Sequence, residues 1–162
     1  MAIELVREYL KTVGREQDII EFDVSTATVE LAAQALQTEP ERIAKSLSFK
    51  TKEGALIVVC AGDCKIDNHA FKERFGVKAK MLKPDEVLQY TNHEIGGVCP
   101  FAVPEDTEIY LDVSMKRFDY VYPACGSANS AIRLTCEELE GMLPYKGWVD
   151  VCKGYPGAVH GA

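Results

Sequence analysis

Residues 45–60 read KSLSFKTKEGALIVVC, a stretch that decides the fold class because it contains two strands and the turn between them. Lys45 to Phe49 and Ala55 to Cys60 are apolar runs rich in residues that favour strands. Lys52-Glu53-Gly54 separates them, and a short polar connection with a glycine is typical of a β-hairpin. The sequence therefore predicts an antiparallel pair of strands near the middle of the chain.

Helix signals alternate with short strand signals on both sides of this hairpin. Helices are predicted for an amphipathic segment within residues 1–14, Val29 to Leu36, a segment through Arg74 capped by Asp67 or Asn68, a segment that begins at Pro84, and Glu137 to Met142. Further strands are predicted at Ile19 to Phe22, Glu108 to Asp112, Tyr120 to Tyr122, Ala131 to Leu134 and Trp148 to Val151. Regular helices do not separate these strands, so we expect a mixed α/β fold with helices around a partly closed sheet.

The length of the chain and its net charge restrict the classes of function that it can have. The chain has 162 residues, which suits one domain over residues 1–162, and its net charge of −7 argues against non-specific nucleic-acid binding. Residues 42–83 nevertheless hold ten basic and four acidic residues. Such a segment suits local contact with a polyanion through Lys50 and Lys52 or through the lysines of 78–83, or else it is a solvated face.

The cysteines indicate a reducing compartment. Six cysteines occur in a chain whose first residues lack a cleavage site and whose apolar runs are too short to span a bilayer, so we expect a cytoplasmic protein without a membrane partner. Cys60 and Cys64 form a CxxxC with no second close pair. Buried, inert thiols are therefore favoured over a metal site, and no cofactor is expected.

The chain contains no GxSxG, HExxH or Walker motif, so hydrolysis would depend on a positioned water and on charge stabilisation. The most informative segment is Ile95-Gly96-Gly97-Val98-Cys99-Pro100-Phe101. Its two glycines let a ligand approach the main chain, and Pro100 fixes the local backbone. From these residues alone, a tight turn between strands is favoured over a site.

Two further features are candidates for a site. Lys45 opens an apolar strand, where its ammonium either enters a cleft or extends to solvent at the strand end. Residues 124–130, ACGSANS, form a loop of small residues that either floors a pocket or turns the chain. Cys99 and Cys125 are the best candidates for a reactive thiol, but neither has an obvious histidine or basic partner in sequence.

In this order and spacing, several short motifs resemble the YbaK/EbsC family over roughly residues 3 to 150: Ala44-Lys45-Ser46-Leu47, the helix-strand piece Phe75-Gly76-Val77-Lys78, the loop 96–101, Ile109-Tyr110-Leu111-Asp112 and the loop 124–129. That family includes free-standing aminoacyl-tRNA deacylases and the editing domain of bacterial prolyl-tRNA synthetases. The resemblance implies a barrel-like mixed sheet flanked by helices, and hydrolysis of the ester of a mischarged tRNA, with tRNA-Pro as the expected tRNA. The partners it implies are the tRNA acceptor end and an aminoacyl-tRNA synthetase.

The resemblance also implies the site residues. Lys45 corresponds to the required lysine, and Gly96 and Pro100 frame the substrate loop. Substrate contacts are then expected from the rest of the two loops: Gly97, Val98, Cys99, Phe101, Gly126, Ser127 and Asn129. Ala102 stands where many members have glycine. The alternative is a module that binds a nucleotide, an aminoacyl conjugate or a partner protein in the same pocket without turnover.

Overall fold

The computed structural model describes residues 2–161. Its α-helices are α1 (Ala2–Thr12), α2 (Val29–Leu36), α3 (Asn68–Phe75), α4 (Pro84–Thr91) and α5 (Cys136–Met142). Its strands are β1 (Ile20–Glu21), β2 (Ile43–Lys50), β3 (Ala55–Ala61), β4 (Lys65–Ile66), β5 (Glu108–Asp112), β6 (Tyr122–Pro123), β7 (Ser130–Ala131), β8 (Gly147–Val149) and β9 (Cys152–Lys153). Short 3-10 helices occur at Glu16–Asp18, Pro40–Arg42 and Val113–Arg117.

The main sheet has five strands in the order β6-β2-β3-β5-β8. The predicted hairpin is its centre: β2 and β3 are antiparallel, and their register runs from Ala44 opposite Ala61 to Lys50 opposite Ala55. The other three pairings in the sheet are parallel. Two-stranded ribbons, β1 with β7 and β4 with β9, complete the strand pairs. The predicted mixed sheet flanked by helices is therefore confirmed.

The core forms around β3, whose seven residues are all buried. A strand that is covered on both faces has apolar residues at successive positions rather than at alternate ones. Burial of both faces of β3 therefore explains its sequence, ALIVVCA. Val6 and Leu10 of α1 belong to the same apolar cluster as Cys152 of β9, so one core joins both ends of the chain. Among residues 2–161, no helix has the length and hydropathy that crossing a membrane requires.

Local signals place the helix ends. Thr28 caps α2 through the N–H of Leu31, and Asp67 caps α3 through the N–H of Ala70. Gly76 ends α3 with a left-handed φ of 76°. Each of these contacts satisfies a main-chain group that a helix end leaves without a partner.

One predicted strand is absent, and others are shorter than predicted. The strand expected directly after Gly76 does not form, because Val77 and Lys78 lie in irregular structure and only Met81 makes a bridge, to Phe49. Pairing of this segment with β2 is confined to residues 80–82, where the N–H of Lys50 donates to the carbonyl of Lys80 and the N–H of Leu82 donates to the carbonyl of Ser48, and α4 then begins at Pro84. The strand predicted to end at Leu134 ends at Ala131.

Candidate functional site

A cavity of about 260 Å³ lies beside β2. Its lining comes from the segments 26–32, 43–48, 81–87, 95–98 and 122–131. Most of the wall is apolar, and the polar exceptions are Lys45, Tyr122 and a set of hydroxyls: Thr26, Thr28, Ser46, Ser48 and Ser130. An apolar pocket with few polar groups is the usual form of a small-ligand site.

The cavity exists because one edge of β2 is only partly paired. β6 pairs with this edge at Ile43 and Ala44 alone. At the other end of the strand, the N–H of Leu82 donates to the carbonyl of Ser48 at 3.2 Å. Main-chain groups of alternate residues in a strand point to the same edge, so the N–H and C=O of Ser46 face the gap between these pairings. The gap therefore presents one main-chain donor and one acceptor to the cavity.

Two hydroxyls in the cavity wall also lack partners. The side-chain oxygens of Thr26 and Ser46 are buried without a hydrogen-bond partner among the described residues. Buried polar atoms are nearly always paired in folded proteins, and an unpaired one costs about 1–3 kcal/mol. A ligand or a water in the cavity would satisfy these groups, so their arrangement favours a binding site.

Lys45 borders the cavity, and its ammonium is held by main-chain carbonyls. The Nζ atom donates to the carbonyl of Gly62 at 3.4 Å and to the carbonyl of Cys64. An ammonium has three N–H donors, so one remains for a ligand. Gly62 is needed here, because a Cβ would lie 2.2 Å from the carbonyl oxygen of Pro40. The turn that receives Lys45 is thus packed tightly against its neighbours.

The loop 95–101 uses its two glycines differently. Gly96 lines the cavity and has a left-handed φ of 95°, a conformation that residues with a Cβ rarely adopt. A Cβ on Gly97 would lie 2.8 Å from the backbone nitrogen of Ser127, so Gly97 lets the two loops pack together. Val98 also lines the cavity, whereas Pro100 is buried. Phe101 is buried as well, and its ring centroid lies 6.2 Å from that of Tyr9.

The loop 124–130 is held by hydrogen bonds within the loop and by bonds to Phe22 and Thr26. Ser127 Oγ donates to Asn129 Oδ1 at 2.9 Å, and Asn129 Nδ2 donates to the carbonyl of Phe22 at 3.0 Å. A Cβ on Gly126 would lie 2.9 Å from the carbonyl oxygen of Ala2, where α1 begins. Gly97, Gly126 and Ser127 line a second cavity of about 520 Å³ that Lys45 does not reach.

The candidate thiols are buried behind these loops. A histidine that the sequence pattern did not indicate contacts Cys99: His93 Nε2 lies 3.4 Å from the Sγ of Cys99 and 2.7 Å from the carbonyl oxygen of Phe101. Since a carbonyl can only accept, Nε2 carries the proton and cannot take one from Cys99. Burial raises the pKa of Cys99 to about 12, and it raises the pKa of Cys125 as well. Neither thiol has the properties of a nucleophile.

Exposed lysines flank one segment of the cavity wall in sequence, and we call this part of the surface the basic mouth of the cavity. Met81 lines the cavity and is 55% exposed, and the nearby Lys80 and Lys83 are exposed too. Within the described residues, neither of these lysines forms an ion pair. Lys50, in contrast, is paired with Glu86 at 2.9 Å. Of the two lysine groups that the sequence left open, the group at 78–83 therefore has more lysines without an ion pair among the described residues, since in the other group only Lys52 has none.

Of the ten predicted site residues, the structure brings Lys45, Gly96 and Val98 to the cavity. Sequence reasoning missed the hydroxyls of Thr26 and Ser46. The alternation of Ser46 and Ser48 within an apolar strand is a signal for the Ser46 hydroxyl, because alternate residues lie on the same face of a strand. Thr26 carries no comparable signal, since it lies in a loop distant in sequence.

Comparisons with known proteins show which sequences and which fold the chain resembles. The family model described as the aminoacyl-tRNA editing domain matches residues 23–142. The chain is 52% identical to the uncharacterized protein YwhH of Bacillus subtilis (strain 168), over 96% of this chain and 99% of that protein. It is 32% identical to a proline–tRNA ligase of Geobacillus sp. (strain WCH70), over 62% of this chain but 18% of the ligase.

A solved structure described as a candidate trans-editing enzyme for prolyl tRNA synthetase superposes with a TM-score of 0.85. It is 28% identical to this chain, and the match covers 94% of this chain and 98% of that one. The two chains therefore share their fold over nearly their whole lengths.

Proposed function

Because the chain belongs to the aminoacyl-tRNA editing domain family, we propose that it is a deacylase that hydrolyses the ester of a mischarged tRNA in trans, with tRNA-Pro as its tRNA. The observation that carries the proposal is the cavity beside β2, where Lys45, Gly96 and the unpaired groups of Ser46 meet. The similarity to one part of a proline–tRNA ligase supports the choice of tRNA.

The aminoacyl side chain would occupy the apolar part of the cavity. Val29, Ala32, Leu82 and Val87 form this wall. Such a wall favours a small uncharged side chain, because burying a charge without a partner is costly. The α-amino group and ester of the substrate would then lie toward the polar edge at Ser46, whose carbonyl accepts and whose N–H and hydroxyl donate.

The reaction would use water as the nucleophile. The cavity wall within residues 2–161 has no His, Cys, Asp or Glu side chain. The water oxygen attacks the ester carbonyl carbon, the bond to the ribose oxygen breaks, and the water proton ends on that oxygen. The neighbouring ribose hydroxyl of the substrate relays this proton. The products are the free amino acid and the tRNA with a free terminal hydroxyl.

The protein would contribute charge stabilisation. Negative charge develops on the ester oxygen in the transition state, and preorganised donors aimed at that position lower the barrier. The third N–H of Lys45 and the main-chain N–H of Ser46 are the available donors at the β2 edge. Gly96 allows its loop to approach the ester without a side chain in the way. Pro100, Cys99 and Phe101, which are buried, would support this loop from behind.

A deacylation assay tests the proposal. The purified chain is incubated with tRNA-Pro charged with proline, alanine, cysteine or serine, and release of the labelled amino acid is followed over time. We expect rapid hydrolysis of at least one mischarged species and slow hydrolysis of Pro-tRNA-Pro. Hydrolysis no faster than the uncatalysed rate for every species would overturn the proposal.

The second candidate is a binding module without turnover. The absence of a general base from the described cavity wall is the observation that favours it. Equilibrium binding of a non-hydrolysable aminoacyl-adenosine amide separates the two functions when it is measured beside the deacylation assay. Binding of the amide with no hydrolysis of any ester would support the module, and hydrolysis would exclude it.

A further inference from the structure

Three cysteines that the proposed reaction does not use converge at one point. The Sγ atoms of Cys60, Cys64 and Cys152 all lie within 4.8 Å of one another. All three residues are fully buried, and none forms a disulfide. Cys60 and Cys64 are four positions apart, whereas Cys152 comes from the far end of the chain. Cys60 and Cys64 alone favour inert thiols. The approach of Cys152 gives the cluster three sulfurs, which is enough for a metal site.

The fold holds each cysteine from a different direction. Cys60 is on β3, opposite Lys45 of β2. Cys64 is in the turn after β3, where its N–H donates to the carbonyl of Ala61 at 3.2 Å. Cys152 is on β9, opposite Ile66 of β4, so the small ribbon carries it over this turn. Backbone pairing thus fixes two of the three positions, and a short turn fixes the third.

The hydrogen bonds beneath the cluster restrain it further. The carboxylate of Asp112 accepts from the N–H of Ser114 at 2.9 Å and from the N–H of Val151 at 3.0 Å. Ser114 Oγ accepts from the N–H of Ala61 at 3.1 Å and lies 3.6 Å from the Sγ of Cys64. Both oxygens of Asp112 are therefore occupied, and sulfur is the main donor atom that the cluster offers.

The spacing and chemistry suit a thiophilic cation. Four-coordinate zinc has zinc–sulfur bonds of about 2.3 Å, which place two sulfurs about 3.8 Å apart. Thiolates select Zn²⁺ and Cu⁺ over hard cations such as Mg²⁺. Three thiolates around Zn²⁺ carry one net negative charge, and the nearby ammonium of Lys45, which donates to the carbonyls of Gly62 and Cys64, balances it.

We propose that Cys60, Cys64 and Cys152 form a metal site that binds one Zn²⁺ or Cu⁺ ion through three thiolates. Binding releases the thiol protons to solvent, including the proton that Cys64 donates to the carbonyl of Ala61 at 2.9 Å. The bound ion ties β3 to β9 through the turn that holds Lys45. The site thereby joins a distant part of the chain to the wall of the cavity.

Competitive titration tests the site on the full chain. The protein is kept reduced and anaerobic, stripped with a chelator, and titrated with Zn²⁺ against a chromophoric zinc chelator and with Cu⁺ against a Cu⁺-specific one. We expect one equivalent of at least one ion to bind. Cys152→Ser should weaken that binding more than about a hundredfold, because loss of a direct ligand exceeds the cost of losing an outer partner. The matched control is Cys136→Ser, a half-buried cysteine outside the cluster, and it should bind like the parent.

Two measurements on the parent protein test the proposal even if Cys152→Ser does not fold. X-ray absorption of the loaded parent should show three sulfur ligands, and thermal unfolding of the parent should shift upward when the ion is added. Failure of the parent to bind either ion, or fewer than three sulfurs around the bound ion, would overturn the proposal. So would equal affinities of Cys152→Ser and Cys136→Ser. These results are independent of deacylation, so the metal site and the proposed activity can fail separately.

Discussion

The two sides of β2 differ in whether their buried polar groups have hydrogen-bond partners. On the cavity side, the hydroxyls of Ser46 and Thr26 have no partner within the described residues. On the side toward β3, which we call the anchor region (Gly62, Cys64, Asp112, Ser114 and Val151), main-chain carbonyls accept from the ammonium of Lys45, which borders the cavity, and both oxygens of Asp112 are hydrogen-bonded. Folding satisfies buried groups where structure is the only requirement. The comparison supports our proposals that the anchor region positions Lys45 and that the cavity binds the aminoacyl ester.

The largest stability effect is expected in the anchor region. Asp112→Ala leaves the buried N–H groups of Ser114 and Val151 without acceptors, so it should lower the free energy of unfolding by about 2–4 kcal/mol. Urea denaturation measures the change, with the exposed Asp106→Ala as control. A loss below about 1 kcal/mol would mean that the anchor region is not held by this carboxylate.

Substitution of one serine on each side of β2 tests this comparison directly. Ser114→Ala removes the acceptor of the Ala61 N–H and should cost about 1–2 kcal/mol of unfolding free energy. Ser46→Ala removes a buried hydroxyl that has no partner among the described residues, so it should leave the free energy of unfolding unchanged or raise it by about 1 kcal/mol, while it raises the KM for the aminoacyl ester. The same urea denaturation and deacylation assays apply to both variants. A destabilised Ser46→Ala with an unchanged KM would reverse the comparison.

The basic mouth of the cavity should contribute to tRNA affinity. Lys80→Glu/Lys83→Glu should weaken binding of tRNA about tenfold and lower the slope of log affinity against log salt by about two, one for each phosphate that a lysine no longer neutralises. The control Lys52→Glu/Lys72→Glu makes the same change in net charge on exposed lysines that, unlike Lys80 and Lys83, are not next in sequence to a residue of the cavity wall. Titrations at several salt concentrations measure both, and equal slopes in the two double variants would show that only total charge matters.

The smallest predicted effect is on the pH dependence of stability. It concerns Nδ1 of His93, which, like the hydroxyls of Thr26 and Ser46, is buried without a partner among the described residues but does not belong to the cavity wall. Burial lowers the pKa of His93 below its ordinary value of 6.5. The folded state therefore binds this proton less well than the unfolded state, and stability is present above pH 6.5 and is lost as the pH falls toward the folded pKa.

Urea denaturation at pH 8 and at pH 5.5 should therefore show less stability at the lower pH. His93→Gln should remove part of this dependence, amounting to about 1 kcal/mol or less. His69→Gln alters a histidine whose side chain is 89% exposed, and it should leave the dependence unchanged. An identical pH dependence in both variants would contradict the burial of a neutral His93.

The sequence predicts the features that local contacts determine. The β2–β3 hairpin, the Asp67 cap and the Gly76 end of α3 depend on neighbours in the chain, and each is confirmed. The free edge of β2 depends instead on how far β6 and the segment at Leu82 extend along it. No short pattern encodes those lengths.

The same limit explains the other differences. Cys152 joins Cys60 and Cys64 only because β9 pairs with β4, and His93 reaches Cys99 only because the loop between them folds back. Ala102 illustrates the reverse case. Its φ of 58° is in the left-handed region, which favours glycine, and this conformation gives a physical reason for the glycine that the family resemblance implies at this position.

The role of Lys45 is tested most directly by single-turnover deacylation of mischarged tRNA-Pro with the parent, Lys45→Ala and the control Lys65→Ala, which alters an exposed lysine of β4. We predict that Lys45→Ala loses more than about a hundredfold in rate, because a transition-state donor is removed, while its free energy of unfolding changes by about 1 kcal/mol or less. Lys65→Ala should react like the parent. Equal rates for Lys45→Ala and the parent would contradict the proposed role of this lysine.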